Sequence, residues 1–167
     1  QGFQTYIYRP GRIWGDTNGG SCQVNDFVWL IIHASIQIGY IPDINAELNI
    51  IPANFAASSI IALSNEKVQT GTSWHLVNPV STSWQQIISS LEKFGYQLNR
   101  TTFSQWYKKL TAFSQISADN KVNSLIPLLN EHWDEGLDNS IVLDSNKTMG
   151  ALSKKSINCP VLDEQLM

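Results

Sequence analysis

The segment Thr5-Tyr6-Ile7-Tyr8-Arg9-Pro10-Gly11 gathers β-branched and aromatic residues into a short run, then breaks it with Pro-Gly and a loop rich in Gly, Asn, Asp and Thr. Such a run reads as a buried strand over residues 5–9 that delivers a loop, from Pro10 to about Gln23, to a ligand. In open α/β sheets ligands collect beyond the carboxyl ends of the strands. The rest of the chain supplies few further strands: Thr72 to Asn78 before an Asn-Pro turn, and an edge strand within residues 96–100. Two or three short strands cannot form a sheet covered on both faces, so the inventory fits the second part of an α/β domain better than a complete one.

Helical spacing dominates what remains. Phe27, Leu30, Ile31, Ala34 and Ile38 recur at three and four, with Asn25 or Ser21 as the cap and Gly39 as the stop. Residues 53–64 predict a second helix rich in small residues, and Ser83 or Ser81 can cap a third that runs through Leu91. Further helices are expected over 103–110 and over 124–133, with Pro127 in the first turn of the latter, and a short one near 148–152.

With 167 residues and 43% hydrophobic content, the chain suffices for one packed domain or part of one. A net charge of −3 and a pI near 5.5 argue against nucleic-acid and anionic-membrane partners. No apolar run reaches the ~18 residues of a membrane span, and no signal segment opens the chain, so a soluble cytoplasmic protein is expected. Cys22 and Cys159 have no metal-ligand or redox spacing and read as reduced thiols. The first residue is Gln1 rather than Met, so a piece of a longer polypeptide is expected.

Five ordered motifs resemble one known family: Tyr8-Arg9-Pro10-Gly11-Arg12-Ile13-Trp14-Gly15, Asn25-Asp26-Phe27, Gln37-Ile38-Gly39-Tyr40-Ile41-Pro42, His75-Leu76-Val77-Asn78-Pro79 with Ser83-Trp84, and a tail with Asp144-Ser145-Asn146-Lys147-Thr148 and Cys159-Pro160. They are similar to the thioester reductase domains that end nonribosomal peptide and polyketide synthetases, relatives of carboxylic acid and aminoadipate reductases. The resemblance implies an α/β fold: the carboxyl-terminal portion of an extended short-chain dehydrogenase (Rossmann-type) domain, mostly helical with two or three short strands. It further implies a single partial domain, in which residues 1–20 finish the Rossmann half and residues 21–167 form the substrate-binding subdomain.

What the family does would carry over as follows. NADPH reduces an acyl or peptidyl thioester, tethered through phosphopantetheine to a carrier protein, to an aldehyde or an alcohol. Pro10, Gly11 and Ile13 match the loop beside the nicotinamide, and Asn25, Asp26, Tyr40 and Ile41 match positions at the substrate side. Asn25 and Asp26 read first as a helix cap and a first-turn acid, with the substrate entrance as the alternative, and core packing explains Tyr40 and Ile41 as well as a pocket does. No Gly-x-x-Gly-x-x-Gly and no Tyr-x-x-x-Lys occurs, so no catalytic residue and no metal ligand is assigned, and the chain alone is expected to be inactive. The partners implied are the carrier protein and the missing Rossmann half of the same domain. Two alternatives stay open: a fatty acyl or carboxylic acid reductase fragment, and a stand-alone non-catalytic module that binds carrier proteins or acyl chains.

Some residues carry a plainer expectation. His33, His75 and His132 read as satisfied histidines, Trp84, Trp106 and Trp133 as packing anchors. Arg9 is expected to hold loop carbonyls. Where relatives usually show Pro-Val-Asp-Tyr-Val, this chain has Pro52-Ala53-Asn54-Phe55-Ala56, which removes an acid and a phenol.

Overall fold

The computed structural model describes residues 3, 5–130, 132–133 and 143–162. In chain order the elements are β1 (Tyr6–Pro10), β2 (Arg12–Trp14), α1 (Phe27–Ile38), β3 (Tyr40–Pro42), β4 (Glu47–Leu48), β5 (Ile50–Pro52), α2 (Ala53–Ser64), β6 (Thr72–Leu76), β7 (Thr82–Ser83), α3 (Trp84–Lys93), β8 (Asn99–Thr101), α4 (Phe103–Ser114), α5 (Asn120–Leu125) and α6 (Asn146–Ser153). The mixed, mostly helical α/β class is as expected. The strands are more numerous than expected, because pairings of two or three residues leave no alternation to read. The described parts of the chain form two compact units: one within Gln1–Cys22, Leu48–Thr82 and Ile141–Met167, the other within Gln23–Glu47 and Ser83–Ser140.

The first unit is built on parallel pairs. β1 lies beside β6 with Tyr8 opposite Trp74 and Pro10 opposite Leu76, and β2 lies beside β5 with Ile13 opposite Ile51. Helix α2 covers these strands. Its inward residues Phe55, Ala56 and Leu63 join Ile51, Trp74, Leu76 and Leu152 of α6 in one cluster. Each of these large apolar side chains contributes roughly 1.5–3 kcal/mol by leaving water. The helix starts at Pro52, a residue with no N–H to leave unsatisfied. At its end the Ile61 carbonyl accepts from Ser64 Oγ at 2.8 Å and from Asn65 Nδ2 at 3.0 Å.

The second unit is helical around one parallel pair, β3 with β8. Asp26, not Asn25 or Ser21, caps α1 by accepting from the Val28 N–H at 3.0 Å. Gly39 ends that helix in the left-handed region, with φ of 73°, where a side chain is strained. Two tryptophans anchor their polar edges while their rings are buried: Trp84 Nε1 donates to the Pro42 carbonyl at 2.7 Å, and Trp106 Nε1 to Ser35 Oγ at 3.1 Å. Trp133 is half-buried, its ring 5.0 Å from that of Phe27 and 5.6 Å from that of Phe103.

The helix expected over 124–133 is corrected. Asp119 opens α5 five residues earlier, accepting from the Lys121 and Val122 N–H groups at 2.8 and 3.4 Å. Pro127 belongs to a 3₁₀ turn, Ile126–Leu128, that ends it, since its ring nitrogen has no hydrogen to continue the ladder.

Helix α3 carries a full capping box: Gln86 N donates to Ser83 Oγ at 3.2 Å, while Ser83 N donates to Gln86 Oε1 at 2.7 Å. Replacing Ser83 with Ala is expected to cost about 1 kcal/mol. Urea unfolding followed by tryptophan fluorescence should show a lower midpoint with an unchanged slope.

Candidate functional site

The loop after β1 is held by its backbone. The Gly11 N–H donates to the Leu76 carbonyl and the Arg12 N–H to the Asn49 carbonyl, both at 2.8 Å. Asn49 also fills the space where Gly11 would carry a Cβ: such an atom would stand 2.5 Å from Asn49 Oδ1 and 2.9 Å from its carbonyl oxygen. The glycine therefore serves a close approach within the protein itself. Both amides are committed to the protein, while Pro10 is exposed and Ile13 keeps 46% of its surface in solvent.

Asn49 in turn meets Asn78. Asn78 N donates to Asn49 Oδ1 at 2.9 Å, and Asn49 Nδ2 donates back to the Asn78 carbonyl at 2.8 Å. The buried Asn78 amide donates to the carbonyls of Ile50 and Pro160, and its Oδ1 accepts from the Val80 N–H. Arg9 lies exposed on β1, and among the described residues no side-chain hydrogen bond to a carbonyl is seen for it.

Beyond β2 the chain turns on Asp16, whose N–H donates to the Ser21 carbonyl at 3.0 Å and whose Oδ2 accepts from the Gly19 N–H at 3.1 Å. Asn54, at the position where the resemblance leads one to expect an acid, pins this turn. Its Nδ2 donates to Thr17 Oγ1 at 2.6 Å and its Oδ1 accepts from the Thr17 N–H at 3.4 Å. A carboxylate here could make the same contact only with the direction reversed, accepting from the Thr17 hydroxyl. Phe55, in place of the phenol, is 5% exposed and belongs to the apolar cluster.

Two ionisable groups of this unit are perturbed. Burial, with Tyr6 nearby, pushes the Tyr8 phenol up, so it stays a neutral donor at ordinary pH. Burial likewise pushes the Cys159 thiol up to about 11, which keeps it unreactive, and both cysteines are free.

The substrate-side residues expected from the sequence fall in the second unit. Asn25 is exposed, and its N–H donates to Gln23 Oε1 at 3.4 Å. Asp26 spends one carboxylate oxygen on the α1 cap. Tyr40 is half-buried with Lys109 Nζ 4.0 Å from its ring centroid, a cation–π contact. Ile41 is wholly buried at 0% exposure, so its side chain offers no surface to a ligand. His33, read from the sequence as inert, donates from Nε2 to Asp119 Oδ2 at 2.7 Å. The two are 86 residues apart, and no local pattern signals the pair. Among the described residues no group of three or more His, Cys, Asp or Glu side chains could hold a metal ion, and no helix is long and apolar enough to cross a membrane.

Known proteins resemble this arrangement. An NAD-binding family model described as Male sterility protein matches residues 1–60. A linear gramicidin synthase polypeptide of Brevibacillus parabrevis is 34% identical over 170 residues, covering 99% of this chain and 3% of that protein. The crystal structure of the terminal R domain from the myxalamid PKS-NRPS biosynthetic pathway superposes with a TM-score of 0.84 at 28% identity, over 96% of this chain and 40% of that one. A thiolation-reductase di-domain from an archaeal non-ribosomal peptide synthetase shares the fold, with a TM-score of 0.75 at 18% identity over 99% of this chain and 35% of that one. The chain thus spans under half the length of each of these relatives.

The parallel pairs and their helical cover, together with the NAD-binding match, define a portion of an extended short-chain dehydrogenase fold. Within that class the chain is similar to the thioester reductase domains of peptide and polyketide synthetases.

Two outcomes follow from the geometry. Gly11→Ala forces the new methyl group onto Asn49, and unfolding should show a loss of about 1–3 kcal/mol. His33 holds the Asp119 carboxyl below its ordinary 3.8, aided by the Lys121 and Val122 N–H groups. A lowered folded value means the contribution is present above the ordinary value and lost as pH falls through the folded one. Protection of the Lys121 and Val122 amides from hydrogen exchange, relative to their intrinsic rate at each pH, should therefore fall only in acid, and Asp119→Asn should abolish that dependence.

Proposed function

We propose that this chain is the pocket-side part of a reductase that releases an acyl or peptidyl thioester from a carrier protein, as aldehyde or alcohol, with NADPH as reductant. The observation that carries the reading is the likeness to the myxalamid terminal R domain over 96% of the chain at 28% identity. The NAD-binding match over residues 1–60 supports a nicotinamide cofactor. The fold shared with a thiolation-reductase di-domain supports a carrier-protein partner.

The residues fit one end of that cofactor. Exposed Pro10, at the end of β1, and half-exposed Ile13, on β2, offer apolar surface on either side of Gly11, suited to the face of a nicotinamide ring. The sequence holds no glycine-rich cradle for the pyrophosphate. That cradle, and the Tyr-x-x-x-Lys pair that would protonate the substrate oxygen, are assigned to the remaining Rossmann half of the domain. When bound, the cofactor supplies hydride to the thioester carbonyl carbon. Pro10, Gly11 and Ile13 orient its nicotinamide end. Asn25, Asp26 and Tyr40 flank the acyl chain, with Ile41 in the core beneath. Residues 1–20 then complete the cofactor half and residues 21–167 the substrate half.

The test is NADPH oxidation with an acyl thioester loaded on a carrier protein, measured for the full polypeptide that carries this chain and for the chain alone. Turnover by the first and none by the second is expected. Turnover by the chain alone, or by neither, would overturn the reading. Carrier binding without NADPH oxidation by the full polypeptide would point instead to a binding module.

A further inference from the structure

Three stretches that lie far apart in sequence meet on one buried amide. The backbone N–H of Asn78 donates to Asn49 Oδ1 at 2.9 Å, while its side chain donates from Nδ2 to the Ile50 carbonyl at 3.0 Å and the Pro160 carbonyl at 3.3 Å and accepts at Oδ1 from the Val80 N–H at 3.0 Å. Asn49 returns a bond to the Asn78 carbonyl, and its own carbonyl holds the Arg12 N–H. The space beside Gly11 is filled by Asn49 Oδ1. The Asn78 backbone thus holds the Asn49 side chain against Gly11, and the Asn78 side chain in turn ties that backbone to Ile50, Val80 and Pro160.

We propose that Asn78 and Asn49 act together as positioning residues for the cofactor loop, so that their amide pair sets how well Pro10 and Ile13 meet the nicotinamide. The inference rests on the cofactor-facing reading of that loop. Each side chain is used as an amide: that of Asn49 toward the Asn78 backbone, that of Asn78 toward Ile50, Val80 and Pro160. Asn78 Nδ2 points at two carbonyls and its Oδ1 at an N–H, while Asn49 donates and accepts at once. A carboxylate at position 78 would face two carbonyl oxygens with no hydrogen to share. At position 49 it would lose the bond to the Asn78 carbonyl and keep only the acceptor half.

No ligand needs to touch either residue for this to matter. Their effect reaches the loop through the Arg12 N–H and the wall beside Gly11, both of which belong to the protein. A loop that is held costs a ligand less ordering on binding than one that is loose, so the signature falls on cofactor affinity rather than on the rate once bound.

The experiment uses the full polypeptide carrying this chain, with NADPH and a carrier-bound acyl thioester, and the variants Asn78→Asp and Asn49→Ala. Asn49→Ala is the gentler change, because its backbone carbonyl still holds Arg12 and Asn78 keeps its bonds to Ile50 and Pro160. Expected are a KM for NADPH raised roughly tenfold with kcat within about threefold, faster hydrogen exchange at the Gly11 and Arg12 amides, and cooperative melting retained in Asn49→Ala. An unmoved KM in folded Asn49→Ala would overturn the positioning role while leaving the reductase reading intact. Failure of the unaltered polypeptide to oxidise NADPH would overturn that reading, and this inference with it.

Discussion

Parallel pairing of β1 with β6 is the constraint from which the rest of the first unit follows. Two parallel strands cannot be joined by a tight turn and need a long crossover. The chain between Pro10 and Thr72 serves as that crossover, and it places α2 over the strands, where Phe55 and Leu63 meet Trp74 and Leu76. The same register brings the end of β1 to the end of β6, so that the Gly11 N–H reaches the Leu76 carbonyl. The loop that the functional reading depends on is thus a direct product of strand register.

Much of this was legible locally. The helix over 53–64, the stop at Gly39 and the cap at Ser83 each rest on residues within a few positions of one another, and each is found where the pattern puts it. Local pattern failed where two neighbouring residues compete for one role, as with Asn25 and Asp26, or where proline permits two readings. Pro127 suits the first turn of a helix and the end of one equally well. The deciding residue was Asp119, whose carboxylate takes two N–H groups of α5 and the His33 ring at once.

Legibility of the candidate site divides in the same way. Pro10, Gly11 and Ile13 were visible because a strand run, a Pro-Gly break and a motif coincide. Asn49 was invisible, since an asparagine in an extended segment between two prolines has no periodic signature, and its partner Asn78 lies 29 residues away. Asn54 was noticed only as the loss of an acid. The structure gives it a use of its own, tying the turn through both the hydroxyl and the N–H of Thr17. Fold class, in contrast, follows from composition and the order of elements, which tolerate errors of several residues at any boundary.

The order in which the chain visits its two units has an evolutionary consequence. It leaves the first after Cys22, returns after Glu47, leaves again after Thr82 and comes back for the described tail. Neither unit is a contiguous cassette. A recombination breakpoint anywhere between Gln23 and the tail would join part of each unit to a foreign counterpart and split both interiors at once. Inheritance, and any attempt to graft this chain into another protein, should therefore treat it as one indivisible block.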